Sequence, residues 1–348
     1  MTSTAIDARG LRKSYGDKVV LSDLDLSVNA GAVTALLGPN GAGKTTVVNI
    51  LSTLVRADGG TAAVNGFDVV RDANGVRSAI GLTGQFSAID PYLTGEENLM
   101  LMAKLRHLGS KRAKTRAAEL LEQFDLVDSA RKLPLTYSGG MQRRLDLAMT
   151  LVSAPSVIFL DEPTTGLDPR SRRTVWDIVR QLVADGTTVL LTTQYLDEAD
   201  ELADRIAVLD TGRIVASGTP DELKRRVPGG HIRLQFADAT TLATATTVLP
   251  GSTPDDAALT LSVPTEGGVG ALRTLLDRLD TAHLDVADLS IHTPDLDDVF
   301  FALTGSAATG PKASGSDATS DSIESKGTVS RPPSPPRDPP RLLTVGRT

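Results

Sequence analysis

The sequence predicts an α/β protein with a largely parallel sheet, followed by a small α+β domain, and three observations carry that prediction. The apolar, β-branched run Ala32-Val33-Thr34-Ala35-Leu36-Leu37 opens directly into a glycine-rich loop and then a helical pattern. Up to about Arg226, short apolar strands alternate with helical stretches, as βαβ units do. Beyond the breaker cluster Val227-Pro228-Gly229-Gly230 the periodicities change, which marks a domain boundary. With 348 residues and 40% hydrophobic content, the chain is long enough for about two domains with real cores.

Taken in order, the strand candidates are Val33 to Leu37, Ile80 to Thr83, Val157 to Leu160, Thr188 to Thr192 and Arg205 to Leu209. The stretch from Leu93 to Val127 differs. Leu99, Met102 and Leu105, then Leu120, Leu121 and Phe124, recur at helical spacing among many charges, which predicts a helical insertion. After the boundary, Ile232 to Phe236 and Ala258 to Val263 alternate like strands. Leu272, Leu275, Leu276 and Leu279 form one helical stripe, and Leu296, Val299, Phe300 and Leu303 form another. Residues 306–348 contain no aromatic residue and 7 of the chain's 19 prolines, so disorder with polyproline II character is expected there.

Residues Gly38-Pro39-Asn40-Gly41-Ala42-Gly43-Lys44-Thr45-Thr46 spell a phosphate-binding loop, which predicts a bound nucleoside triphosphate. Gly38 and Gly43 let backbone N–H groups turn inward, Lys44 adds a point charge at the β- and γ-phosphates, and the Thr45 hydroxyl is a Mg²⁺ ligand. A helix starting near Lys44 adds its positive dipole end. The strand at Val157 ends in Asp161-Glu162: Asp161 is placed to hold the Mg²⁺ shell and Glu162 to polarise an attacking water. A second anion cradle opens at Ser138-Gly139-Gly140, ahead of Met141, Gln142 and a helix-like run.

This combination resembles the ATP-binding subunit of ABC transporters: phosphate loop, Gln85, Ser138-Gly139-Gly140-Met141-Gln142, Asp161-Glu162, then Gly166-Leu167-Asp168. The resemblance covers residues 5 to 226 and implies an ABC-type nucleotide-binding domain with a helical subdomain at about 90–155. An accessory α+β domain at 230–305 and the tail at 306–348 complete the expected organisation. It further implies that Tyr15 stacks on adenine, that Gln85 touches Mg²⁺ and senses the membrane partner, and that Asp168 lies at a dimer seam. The serine-glycine segment of one copy, with Gln142 beside it, then closes over ATP held by the other. Where the family usually has histidine, this chain has Gln194, which donates a hydrogen bond but carries no charge near neutral pH. Within the family, Gln194, the Tyr137-Ser138-Gly139-Gly140-Met141 segment and the run Pro294 to Gly305 look like daunorubicin-type drug-resistance exporters.

The expected partners are therefore a second copy and a separate transmembrane permease, with the chain peripheral on the cytoplasmic face of the cell membrane. The contrasting class is an ABC-type ATPase acting on ribosomes or DNA. Ribosome-acting members usually carry two phosphate loops, and DNA-maintenance members separate their motifs by long coiled coils. Here there is a single loop, and Lys44 and Ser138 lie about 94 residues apart without sustained heptads. Lys+Arg 36 against Asp+Glu 43 gives a net charge of −7, and no nucleic acid partner is expected. Cysteine is absent, which excludes disulfides and thiolate metal sites. No stretch approaches 18 apolar residues, and the start lacks a basic segment followed by an apolar core, so no membrane span or leader is expected. His107, His231, His283 and His292 show no metal-ligand spacing.

Overall fold

The computed structural model describes residues 3–84, 87–226, 230–265, 269–292 and 295–305. The breaker residues Val227 to Gly229, together with Pro294 and the tail at 306–348, lie outside the described residues, and so does Gln85.

Strands β1 (Thr4–Tyr15) and β2 (Lys18–Asn29) form a long antiparallel hairpin in which Ile6 faces Val28, Ala8 faces Leu26 and Leu11 faces Leu24, all buried. β3 (Val33–Leu37) is buried at every position and leads into α1 (Lys44–Leu51). β4 (Gly59–Val64) and β5 (Phe67–Asp68) extend the hairpin into a four-stranded sheet of order β2-β1-β4-β5. The sequence reading did not foresee this sheet. Register shifts break the period-2 pattern of β1, and charges at Asp7, Arg9, Arg12 and Lys13 hide what remains of it.

α2 (Ala73–Ala79) precedes β6 (Ile80–Thr83), and the helical insertion follows as α3 (Gly95–Leu105) and α4 (Ser110–Gln123). Thr94 and Glu97 cap α3 reciprocally. Two 3-10 turns, Val127–Ser129 and Pro134–Thr136, lead to α5 (Gly139–Thr150). Next come β7 (Val157–Asp161), α6 (Pro169–Ala184), β8 (Thr188–Thr193), α7 (Leu196–Leu202), β9 (Arg205–Asp210), β10 (Arg213–Gly218) and α8 (Pro220–Lys224). The five expected strands all form, and they lie parallel in the order β9-β3-β8-β7-β6, with β10 antiparallel on the β9 edge. Burial on both faces accounts for their unbroken apolar runs.

The last part comprises β11 (His231–Gln235), α9 (Ala239–Val248), β12 (Thr253–Asp255), β13 (Thr260–Pro264), α10 (Val269–Thr281), β14 (Asp288–His292) and α11 (Leu296–Thr304). Its antiparallel sheet of order β12-β13-β11-β14 shares a core with α9 and α10 through Ile232, Leu234, Phe236, Leu242, Leu261, Leu275 and Leu279. The apolar stripe of α11 goes elsewhere. Leu296, Val299 and Phe300 join the core beside α7 and α8, so the final described helix is packed on the parallel-sheet layer.

Candidate active site

β3, β7 and β8 are adjacent and parallel, so the residues that follow their C-terminal ends converge along one sheet edge. Strand order reverses around β3, and an edge of this kind is where α/β sheets bind ligands. The loop after β3 is held at both sides: Gly38 N–H donates to the Thr193 carbonyl (3.2 Å), and Gly212 N–H donates to the Ala42 carbonyl (3.1 Å). Two of its glycines are sterically required. A Cβ at Gly38 would collide with the Leu209 carbonyl oxygen, and one at Gly43, where φ is 113°, would stand 2.8 Å from Leu21 Cδ2. The β2 hairpin and the β9 end thus clamp the loop from outside, and its concave face, with the α1 N-terminus behind it, fits a polyphosphate.

Lys44 is 5% exposed. Its Nζ donates to the carbonyls of Gly38 (2.8 Å) and Pro39 (3.1 Å) and stands 3.3 Å from Glu162 Oε1. Burial lowers the Lys44 pKa below the ordinary lysine value, while Glu162 and then Asp161 pull it back up. On β7, Asp161 is buried and its Oδ1 accepts the Thr192 hydroxyl at 2.5 Å. Glu162 N–H is shared by the Thr192 carbonyl and hydroxyl, both at 3.1 Å, and the Thr165 hydroxyl donates to Glu162 Oε2 at 3.3 Å. Glu162 itself has φ 50°, a left-handed conformation that a residue with a Cβ holds only when its surroundings enforce it. Sequence reasoning missed Thr192 as a member of this site. Its only signal was a polar residue at the end of an otherwise apolar strand.

Phosphate loop, Asp161 and Glu162 are therefore brought together. Gln194 lies one residue beyond β8, whose Thr193 carbonyl holds Gly38, and is half-buried. Thr45 is exposed in the first turn of α1, and Thr46 follows it half-buried. Asn40 and Gly41 are exposed at the loop tip. The oxygen set of Thr45 and Asp161 matches the hard donors Mg²⁺ prefers. Gln85, the third expected ligand, cannot be placed because it is outside the described residues.

Ser138, Gly139, Gly140 and Gln142 make up a second helix start with contacts of its own. Ser138 caps α5 by accepting Met141 N–H, and the Gln142 amide donates to the Pro134 carbonyl at 2.9 Å. A Cβ at Gly140 would be 2.5 Å from Ser171 Oγ, and that hydroxyl donates to Asp168 at 2.6 Å. The cradle therefore flanks the start of α6, and among the described residues no hydrogen bond links 138–142 to 38–46. Asp168, exposed, caps α6 by accepting Arg170 and Ser171 N–H, and the Ser171 hydroxyl above all holds its carboxyl below the usual range. Tyr15 ends β1 with 49% of its surface exposed, and Lys13 Nζ lies 5.3 Å from the ring centroid. Among the described residues no cluster of three His, Asp or Glu side chains could hold a metal ion by itself.

Residues 21–165 match the ABC transporter family. The chain is similar to the daunorubicin resistance ATP-binding protein DrrA3 of Streptomyces coeruleorubidus, at 53% identity over 307 residues, covering 88% of this chain and 97% of that one. The daunorubicin/doxorubicin resistance ATP-binding protein DrrA of Streptomyces peucetius is 49% identical over 313 residues, covering 87% and 93%. Among solved structures, an ATP-binding subunit of an ABC transporter superposes with a TM-score of 0.58 at 28% identity, covering 64% of this chain and 92% of that one. A dimeric ATP-binding cassette bound to ADP and Pi in a post-hydrolysis state gives a TM-score of 0.56 at 26% identity, covering 62% and 98%.

Proposed function

Because this chain belongs to the ABC transporter ATP-binding family and is an ATP hydrolase coupled to transport, we propose that two copies of it drive a separate membrane permease to expel an antibiotic or similar amphipathic compound. The observation that carries the hydrolytic half is the Glu162 carboxylate held 3.3 Å from Lys44 Nζ at the mouth of the phosphate loop.

In this reading Gly38, Pro39, Asn40, Gly41, Ala42, Gly43, Lys44, Thr45 and Thr46 surround the triphosphate. The loop N–H groups and Lys44 neutralise its charge as the terminal phosphoryl group leaves. Thr45, Asp161 and Gln85 would hold Mg²⁺, which would supply positive charge against the triphosphate. Glu162 accepts the proton of the attacking water, and its strained backbone keeps the carboxylate aimed. Gln194 donates a neutral hydrogen bond to the γ-phosphate, and Tyr15 stacks on adenine. Ser138, Gly139, Gly140 and Gln142 of the second copy close over the nucleotide, with Asp168 at the seam. Similarity to a cassette solved as a dimer supports this division of labour.

Among the described residues no helix is long and apolar enough to cross a membrane; what supports a separate spanning partner, with this chain peripheral to it on the cytoplasmic face, is membership of the ABC transporter family. Efflux of an amphipathic drug rests on the names of the relatives.

The reading is tested with Glu162→Gln, which keeps shape and removes the base. Phosphate release should fall by about 100-fold or more, and light scattering should show an ATP-stabilised dimer. Turnover equal to that of the parent would reject the assignment of Glu162. Affinity capture from native membranes should recover a multi-span protein, and resistance to an anthracycline-like compound should need both genes.

A further inference from the structure

α5 carries a charged pair that nothing above has used. Arg143 and Asp146 are one turn apart, joined at 3.1 Å, with side chains 12% and 4% exposed. Such a pair stabilises a fold poorly, because desolvation offsets most of the attraction. Its bonds lead to two loops. Arg143 Nε donates to the Pro163 carbonyl at 2.8 Å and Nη1 to the Gly84 carbonyl at 3.4 Å, while Asp146 Oδ1 accepts Ala88 N–H at 3.1 Å. The Asp161 and Glu198 carboxylates also lie within electrostatic reach of the guanidinium.

We propose that Arg143, oriented by Asp146, is a positioning residue that holds Glu162 in its left-handed conformation and links it to the helix that begins at Ser138. The segment around Glu162 is held on both sides, and Thr165 N–H closes the turn onto the Glu162 carbonyl at 3.3 Å. Before it, the Glu162 N–H is fixed by Thr192. After it comes Pro163, which has no N–H to donate, and Arg143 Nε holds its carbonyl at 2.8 Å. Without that bond the turn is held to Glu162 by the long Thr165 N–H contact to its carbonyl (3.3 Å) and the Thr165 hydroxyl on its carboxylate (3.3 Å), so it is loosened toward ordinary backbone angles and the carboxylate loses its aim at Lys44. The same guanidinium rides on α5, whose first turn is the anion cradle for the second copy's nucleotide. Movement of that cradle therefore reaches Glu162 through one side chain. This inference rests on the reading of Glu162 as the water-polarising carboxylate.

The test uses the full chain with R143Q, R143K and the double variant R143Q/D146N, which leaves no lone buried charge should R143Q fold poorly. Measured quantities are kcat and KM for ATP, affinity for a fluorescent ATP analogue, and Tm. For R143Q and the double variant, kcat should drop by roughly 10- to 100-fold, with nucleotide affinity and KM within about twofold of the parent. R143K, which keeps a donor but loses the planar fork, should fall between. A kcat within twofold of the parent in either glutamine variant, or a loss matched by equal loss of nucleotide affinity, would overturn the proposal. E162Q run alongside separates the two readings. If it traps no ATP dimer while R143Q still lowers kcat, the role of Glu162 fails. If it traps the dimer and R143Q behaves as the parent, the role of Arg143 fails.

Discussion

Glycines in the phosphate loop answer to different constraints, and substitutions there separate them. At Gly38 a methyl group meets the Leu209 carbonyl, which is fixed in β9, so G38A should cost about 1–3 kcal/mol of stability and weaken ATP binding at least tenfold. At Gly41, φ is 83° and nothing stands within 4 Å of a Cβ, so G41A should carry only conformational strain, about 1 kcal/mol. Thermal melting with and without ATP distinguishes the two. Residue types and spacing made Lys44, Asp161 and Glu162 legible in the sequence, because their chemistry demands those side chains in that order. Thr192, Arg143 and Asp146 were not legible. Apart from the Thr192 hydroxyl on Asp161 and the Arg143–Asp146 pair, they bond backbone carbonyls and N–H groups of segments distant in sequence, and such partners leave no pattern of side chains to read.

Helices in this protein are stabilised at their ends as well as along their faces. Asp168 on α6 and Asp238 on α9 each accept two backbone N–H groups, and side-chain and backbone hydrogen bonds hold both carboxyls below the usual range. With folded values below the unfolded value of about 4, they add stability that is complete above that pH and is lost as pH falls through the folded values. Asp146 and Glu198, raised by burial, act in the opposite sense. D168N should therefore flatten the acid limb of Tm against pH relative to the parent, a difference that isolates the one group. Helix α11 tests packing. Phe300→Ala should cost about 3–5 kcal/mol for a buried aromatic, and hydrogen exchange in α11 should speed up before that of β11 or β13. The apolar stripe of α11 was readable from spacing, whereas its destination on α7 and α8 was not, since a stripe specifies burial without naming the surface that covers it. α9, rich in threonine and low in amphipathic contrast, offered no comparable stripe.

For the whole molecule, an ATP-driven dimer is the expectation that separates this chain from an isolated nucleotide binder. In E162Q, mass measured by light scattering should double on adding ATP and Mg²⁺ and return when nucleotide is removed. Chelating Mg²⁺ in the parent should abolish phosphate release. The parallel layer was legible because strands buried on both faces read as short apolar runs, while the antiparallel sheet, half solvated and bulged, did not. Strand order has a further consequence for biosynthesis. β3 sits between β8 and β9, which are encoded roughly 150 residues later, so the strand that launches the phosphate loop emerges from the ribosome long before either neighbour exists. At ordinary translation speeds that gap lasts on the order of ten to thirty seconds, during which the nascent chain carries a sticky, unpaired ribbon. Stalled or shortened translation products ending before residue 188 should accordingly be chaperone clients or aggregates rather than partial nucleotide binders.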